Sequence, residues 1–111
     1  SLIIAYSHCI AHGINMTRGN DEQKKAVASG SWINYRYDPR RAAEGKNPLQ
    51  LDTKDPTMSV KEYADGQVRF KSLTRSQPER AEMLMGLAEK HAKDRFRYYK
   101  QLAALEWDGN E

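Results

Sequence analysis

The residue types best suited to chemistry gather near the start of the chain, in the run S-H-C-I-A-H from Ser7 to His12. Cys9 is the only cysteine, and His8 and His12 flank it. Four chemistries use such a set. A nucleophilic thiol needs a histidine base and a third group to orient that base, and no third group stands at a recognisable spacing. A zinc site from His8, Cys9 and His12 lacks a fourth ligand. A lone cysteine at a strand end also behaves as a small buried hydrophobe. Finally, one thiolate can complete an iron–sulfur cluster whose other ligands come from distant sequence. Spacing alone leaves these readings open. One cysteine does exclude an internal disulfide, and it fits a reducing, cytoplasmic compartment.

Other chemistry-bearing residues are sparse. His91 falls on the apolar side of a helical pattern and reads as a packed histidine. Arg40 and Arg41 read as surface or interface charges, and Tyr35, Tyr37, Tyr98 and Tyr99 as packing residues with a polar tip. No phosphate-binding glycine loop, H-E-x-x-H or paired-cysteine motif is present. The net charge is +3, from 18 basic and 15 acidic side chains among 111 residues. It is spread evenly: residues 1–37 carry four bases and two acids, 38–58 four and four, and 59–111 ten and nine. That pattern argues against nucleic-acid binding. The longest apolar run, 2–6, is far too short for a membrane span of about 20 residues or for a secretory signal.

These residues need elements to position them. The run 2–6 is apolar and β-branched, which predicts a strand buried on both faces, with Ser7 to Ile10 at its C-terminal edge, where α/β sheets bind ligands. Such a strand requires partners that this chain scarcely offers, so the reading is a piece of a longer polypeptide. A helix is expected over 20–29, capped by Asn20 and ended by a left-handed Gly30. Residues 32–37 alternate as a strand, with Ile33, Tyr35 and Tyr37 on the inner face, stopped by Asp38-Pro39. A short extended piece follows at 49–51. Ser59 and Glu62 open a helix expected over 59–70, and Ser76 and Glu79 another over 77–105. On the last helix Ala81, Met85, Ala88, Ala92, Phe96, Tyr99 and Ala103 form the packing stripe, widened by Leu84, Leu87, His91, Tyr98, Leu102 and Leu105. Glu89 and Lys93 are spaced as an i,i+4 ion pair. The tail W-D-G-N-E is expected to fray, apart from Trp107. The fold class is therefore α/β. Residues 1–58 are expected to belong to an α/β unit, and 59–111 to form a helical segment packing on it or on a second subunit.

Three stretches carry a family resemblance: S-L-I-I-A-Y-S-H-C-I-A-H-G-I, then S-G-S-W-I-N-Y-R-Y-D-P-R-R-A-A-E-G-K-N-P-L-Q-L-D, then S-V-K-E-Y-A with the final charged helix. Together they resemble the C-terminal part of the pyruvate:ferredoxin (flavodoxin) oxidoreductases, single-chain thiamine-diphosphate enzymes. The resemblance implies the end of a thiamine-diphosphate-binding domain in an enzyme that converts pyruvate and coenzyme A to acetyl-CoA and CO2. Electrons would leave through [4Fe-4S] clusters to ferredoxin or flavodoxin. It maps the last ligand of the cluster nearest the thiamine onto Cys9. The other three ligands, and the residues holding thiamine diphosphate, Mg2+ and pyruvate, would lie outside this chain. It also implies a homodimer and an inactive isolated segment. The family usually has a bulky aromatic at Ser31 and a Pro-Leu or similar pair at Ile33 and Asn34. A buried Asn34 would need a hydrogen-bond partner. The competing expectation is a non-catalytic helical docking module with a buried, structural Cys9.

Overall fold

The computed structural model describes residues 1–108. Their order is α1 (Gly19–Ala28), β1 (Tyr35–Tyr37), β2 (Leu49–Leu51), α2 (Val60–Asp65), α3 (Val68–Ser76) and α4 (Pro78–Ala103). Short 3-10 turns cover Ile10–His12, Met16–Arg18 and Pro39–Glu44. Among the described residues the helices are joined by one two-stranded antiparallel ladder, whose β2 packs on α4, an α/β arrangement in the coarse sense. The register pairs Tyr35 with Leu51 and Tyr37 with Leu49. The core is small: Ala26, Ile33, Val60, Tyr63, Ala64, Ala92 and Phe96 are its buried apolar residues. The molecule is elongated, about 58 × 30 × 21 Å.

The main correction concerns 2–6, which is not a strand. Leu2, Ile3 and Ile4 are 84, 87 and 71% exposed, and the segment pairs with neither strand. Its composition supplies β propensity, but a strand exists only where another backbone takes its N–H and C=O groups. The strand expected over 32–37 shrinks to Tyr35–Tyr37, because the residues before it bond outside the ladder: the Trp32 N–H goes to the Ala26 carbonyl at 3.0 Å. Ahead of it, Asn34 serves the adjoining turn. Its carbonyl accepts the Asp52 and Thr53 N–H groups (2.9 and 3.1 Å), and its own N–H donates to Thr53 Oγ1 at 2.6 Å. The Asn34 side chain is exposed, so it leaves no buried amide to satisfy. Ile33 is buried, whereas Tyr35 and Tyr37 are 45 and 60% exposed. Tyr35 stacks instead on Tyr99 of α4, with ring centroids 5.2 Å apart.

Helix α1 starts one residue early and ends one early, with Arg18 rather than Asn20 at the N-cap. Gly30 does adopt the left-handed conformation, at φ 77°. The helix expected over 59–70 divides in two. Ser59 Oγ accepts the Glu62 N–H at 3.1 Å, as the S-x-x-E pattern predicts. At Gln67 the backbone turns extended (φ −120°, ψ 123°), which ends α2 and begins α3. Gly66 weakens helix continuation there, and the break lets the Gln67 side chain sink to 2% exposure. Val68 and Phe70 of α3 are 55 and 44% exposed.

Helix α4 runs 78–103 rather than 77–105. Gln77 is its N-cap, with no side-chain bond, and Pro78 opens its first turn. Ser76 does not cap it, because its hydroxyl donates back to the Ser72 carbonyl of α3 at 3.0 Å. Ala92 and Phe96 are buried where α4 packs on α2, α3 and β2. The wider stripe stays bare: Leu84, Leu87, Tyr98 and Leu105 are 41–58% exposed, and His91 is exposed as well. Glu89 accepts the Lys61 N–H at 2.9 Å and so caps the start of α2. An i,i+4 ion pair forms one residue along, at Lys90–Asp94 (2.8 Å). Of the tail, 105–108 carry no regular structure, Trp107 is 40% exposed, and 109–111 lie outside the described residues.

Candidate functional site

The segment around Cys9 owes its position to two glycines and an aromatic cluster. Cys9 is extended (φ −145°, ψ 152°) and caps the 3-10 turn Ile10–His12. Its Sγ accepts the Ala11 N–H at 3.5 Å. Gly13 closes the turn in the left-handed region, at φ 67°. There the Gly13 carbonyl accepts the Val68 N–H at 3.4 Å, and a Cβ on Gly13 would sit 2.6 Å from Val68 Cβ. Gly19 plays the same role for His8, because a Cβ there would run into the imidazole. His12 lies parallel to Tyr6, with centroids 6.3 Å apart.

Tyr6 is the hub. Its ring meets Trp32 at 5.6 Å, its carbonyl accepts from Gln23 Nε2 at 3.4 Å, and its hydroxyl lies 2.9 Å from the hydroxyl of Tyr63. Burial, and then the hydrogen bond with Tyr6, push the Tyr63 phenol up to about 12. Tyr63 and Gln67 are also hydrogen-bonded through their side chains. Beside them Glu22 is buried; Lys25 Nζ donates to one of its oxygens at 3.4 Å, while the other has no partner. The Nδ1 atoms of His8 and His12 are likewise buried without partners.

These distances separate the four chemistries proposed for Cys9. The thiol is free and exposed, so the buried structural cysteine is not what forms. Its sulfur bonds to a backbone N–H, and no imidazole is joined to it among the described hydrogen bonds. The histidines turn instead to Gly19 and Tyr6, so the nucleophile–base geometry is missing. No three metal-ligating side chains converge among the described residues, so His8, Cys9 and His12 form no zinc site. What the chain offers is one accessible sulfur donor that already receives a backbone N–H. That fits one ligand of a shared iron–sulfur cluster and cannot supply all four. Residue spacing missed the Tyr6–Tyr63 pair. The aromatic of A-Y-S, three residues before the cysteine, was the available signal, but it read as a strand end.

A concavity of about 460 Å³ lies along α4 and is lined by Asp55, Pro56, Lys93, Phe96, Arg97 and Lys100, among others. Lys100 pairs with Asp55 at 3.0 Å and sits over the Phe96 ring at 5.7 Å. None of the residues surrounding Cys9 lines this groove. Among the described residues, no helix is long and apolar enough to cross a membrane.

No family model matches the sequence. Similar curated proteins include a pyruvate-flavodoxin oxidoreductase of Nostoc sp., 52% identical over 104 residues. The pyruvate:ferredoxin oxidoreductase of Moorella thermoacetica is 53% identical over 103 residues. These alignments cover 94 and 93% of this chain, but only 9% of each relative. A mitochondrial pyruvate dehydrogenase [NADP(+)] of Euglena gracilis is 40% identical over 92% of the chain and 6% of that protein. The chain thus spans about one-eleventh of the length of the first two relatives.

Proposed function

We propose that this chain, a homologue of one segment of the pyruvate-flavodoxin/ferredoxin oxidoreductases, supplies a cluster ligand and scaffold to such an enzyme. The segment is the C-terminal end of a thiamine-diphosphate-binding domain. The intact enzyme, a cytoplasmic homodimer, oxidatively decarboxylates pyruvate with coenzyme A to acetyl-CoA and CO2. Both electrons pass to ferredoxin or flavodoxin, and thiamine diphosphate with Mg2+ is held by residues outside this segment.

Cys9 is the residue this chain contributes to the chemistry, as one thiolate of a [4Fe-4S] cluster. The cluster supplies one-electron transfer. The chain's own work is to hold the sulfur at an open edge and to orient it through the Ala11 N–H that it accepts. The observation that carries this reading is the accessible Cys9 thiol just past the apolar run 2–6, which neither strand pairs. The remaining polypeptide would supply that pairing, converting 2–6 into the strand its composition suits. The bare faces of α3 and α4 would be covered by the same polypeptide or by the dimer partner.

Substituting Cys9→Ser in the intact enzyme tests the reading. The expected result is loss of one cluster's worth of iron and of its electron paramagnetic resonance signal, with the other clusters retained. Full iron content and an unchanged spectrum would refute it. The isolated 111-residue chain is expected to be colourless and inactive.

A further inference from the structure

We propose that the hydroxyl pair of Tyr6 and Tyr63 is the anchor that sets the position of Cys9, making both tyrosines positioning residues for that sulfur. The inference rests on the reading of Cys9 as a ligand but makes a separate claim about how the loop is held. The segment leading to Cys9 is mostly in solvent: Leu2, Ile3 and Ile4 are all more than two-thirds exposed. Its attachments concentrate on one residue, Tyr6, through both its ring and its backbone carbonyl. That residue is gripped by Gln23 of α1, by Trp32 ahead of β1, by His12 and by Tyr63 of α2.

Helix α2 is a firm base for such a grip. Its first turn is capped by Ser59 and by Glu89 of α4, and Tyr63 is only 7% exposed. Tyr6 and Cys9 are three residues apart, and a chain spans at most about 3.6 Å per residue. Fixing Tyr6 therefore confines the sulfur to a small region. The Gly13–Val68 contact confines it from the other side. Burial pushes the Tyr63 phenol up to about 12, so it keeps its proton for this bond at working pH.

The test uses Tyr6→Phe, Tyr63→Phe and the double variant of the full chain. The readout is amide hydrogen exchange at Ala11, His12 and Gly13, which are bonded within the Cys9 turn, with the β1–β2 ladder as control. Each single change should speed exchange in the turn about fivefold. The double variant should be no faster than either single, and the ladder should not move. In the intact enzyme, Tyr63→Phe should also shift the reduction potential of the cluster bound through Cys9.

Unchanged exchange in the turn, additive effects, or an equal rise in the ladder would overturn the anchor. Its failure differs from failure of the ligand reading. If Cys9→Ser leaves the iron intact while Tyr63→Phe frees the turn, the anchor stands and the ligand assignment falls. If Cys9→Ser empties a cluster while Tyr63→Phe moves neither exchange nor potential, the reverse holds.

Discussion

Adding one methyl group at Gly13 should dislodge the Cys9 turn, and the cost can be worked from its surroundings. Gly13 has φ 67°, where an alanine is strained, and a Cβ there would stand 2.6 Å from Val68 Cβ and 3.4 Å from its Cα. The left-handed conformation costs about 1–2 kcal/mol and overpacking about 1–3, so Gly13→Ala should lose about 2–5 kcal/mol. That is a large share of the roughly 5–15 kcal/mol holding a domain of this size together. Urea unfolding measures the total, and hydrogen exchange at the Val68 amide, which donates to the Gly13 carbonyl, reports the local detachment. Val68→Gly in the same chain removes the struck atom. Alone it should cost at most about 1 kcal/mol, being a glycine in the first turn of a helix. Combined with Gly13→Ala it should recover the packing share and leave the strain. Gly13→Asn tolerates the left-handed region better but meets the same Val68 carbon, so it should keep the packing share. The reasoning is refuted if Gly13→Ala stays within about 0.5 kcal/mol of the parent with Val68 still protected, or if the two changes simply add.

Two further outcomes follow from burial. Phe96→Ala should cost about 3–5 kcal/mol in the same urea titration, because Phe96 is 7% exposed. Leu87→Ala, at 44% exposed, should cost under about 1 kcal/mol, and equal effects would show that α4 is not packed through Phe96. The second concerns alkaline pH. Tyr63 titrates at about 12 when folded, above the ordinary 10 of an exposed phenol. The folded state therefore holds a proton that the unfolded state releases first. This contribution is whole below pH 10 and disappears as the pH rises to 12. Tyr63→Phe should flatten that part of the pH–stability curve relative to the parent chain, and identical slopes would contradict the assignment.

Elements whose cause is local, or whose partner lies within the chain, were legible in the sequence. Leu49–Leu51 forms where read, because Tyr35–Tyr37 pairs with it, and α4 follows from its 3.6-residue stripe and Pro78. Ser59 caps as its spacing predicts. The failures share a different cause, since each depended on a partner. Residues 2–6 have the composition of a strand and no second backbone to pair with. Ser76 has the same motif as Ser59, yet its hydroxyl turns back onto α3, which already occupies the residues before it. The helical pattern over 59–70 hides the turn at Gln67, because nothing in the pattern announces that this amide will be buried beside Tyr63. For the site, residue types singled out Cys9, and the family resemblance suggested the role proposed for it. Sequence could not reveal that Tyr6 meets a residue 57 positions away, nor that both neighbouring histidines turn to other contacts.

Asn47 ties together the two ends of the second half of the chain. Its amide donates to the carbonyls of Leu102 and Leu105, at 2.7 and 3.1 Å, while its own oxygen accepts the Leu49 N–H at 2.9 Å. The partners lie 55 and 58 positions downstream. On the ribosome, the ladder emerges well before those carbonyls have been synthesised, so it must wait, half-latched, for the last helix to arrive. Translation order and closure order are thus opposed here, and a nascent chain stalled short of Leu102 would hold an unsecured hairpin.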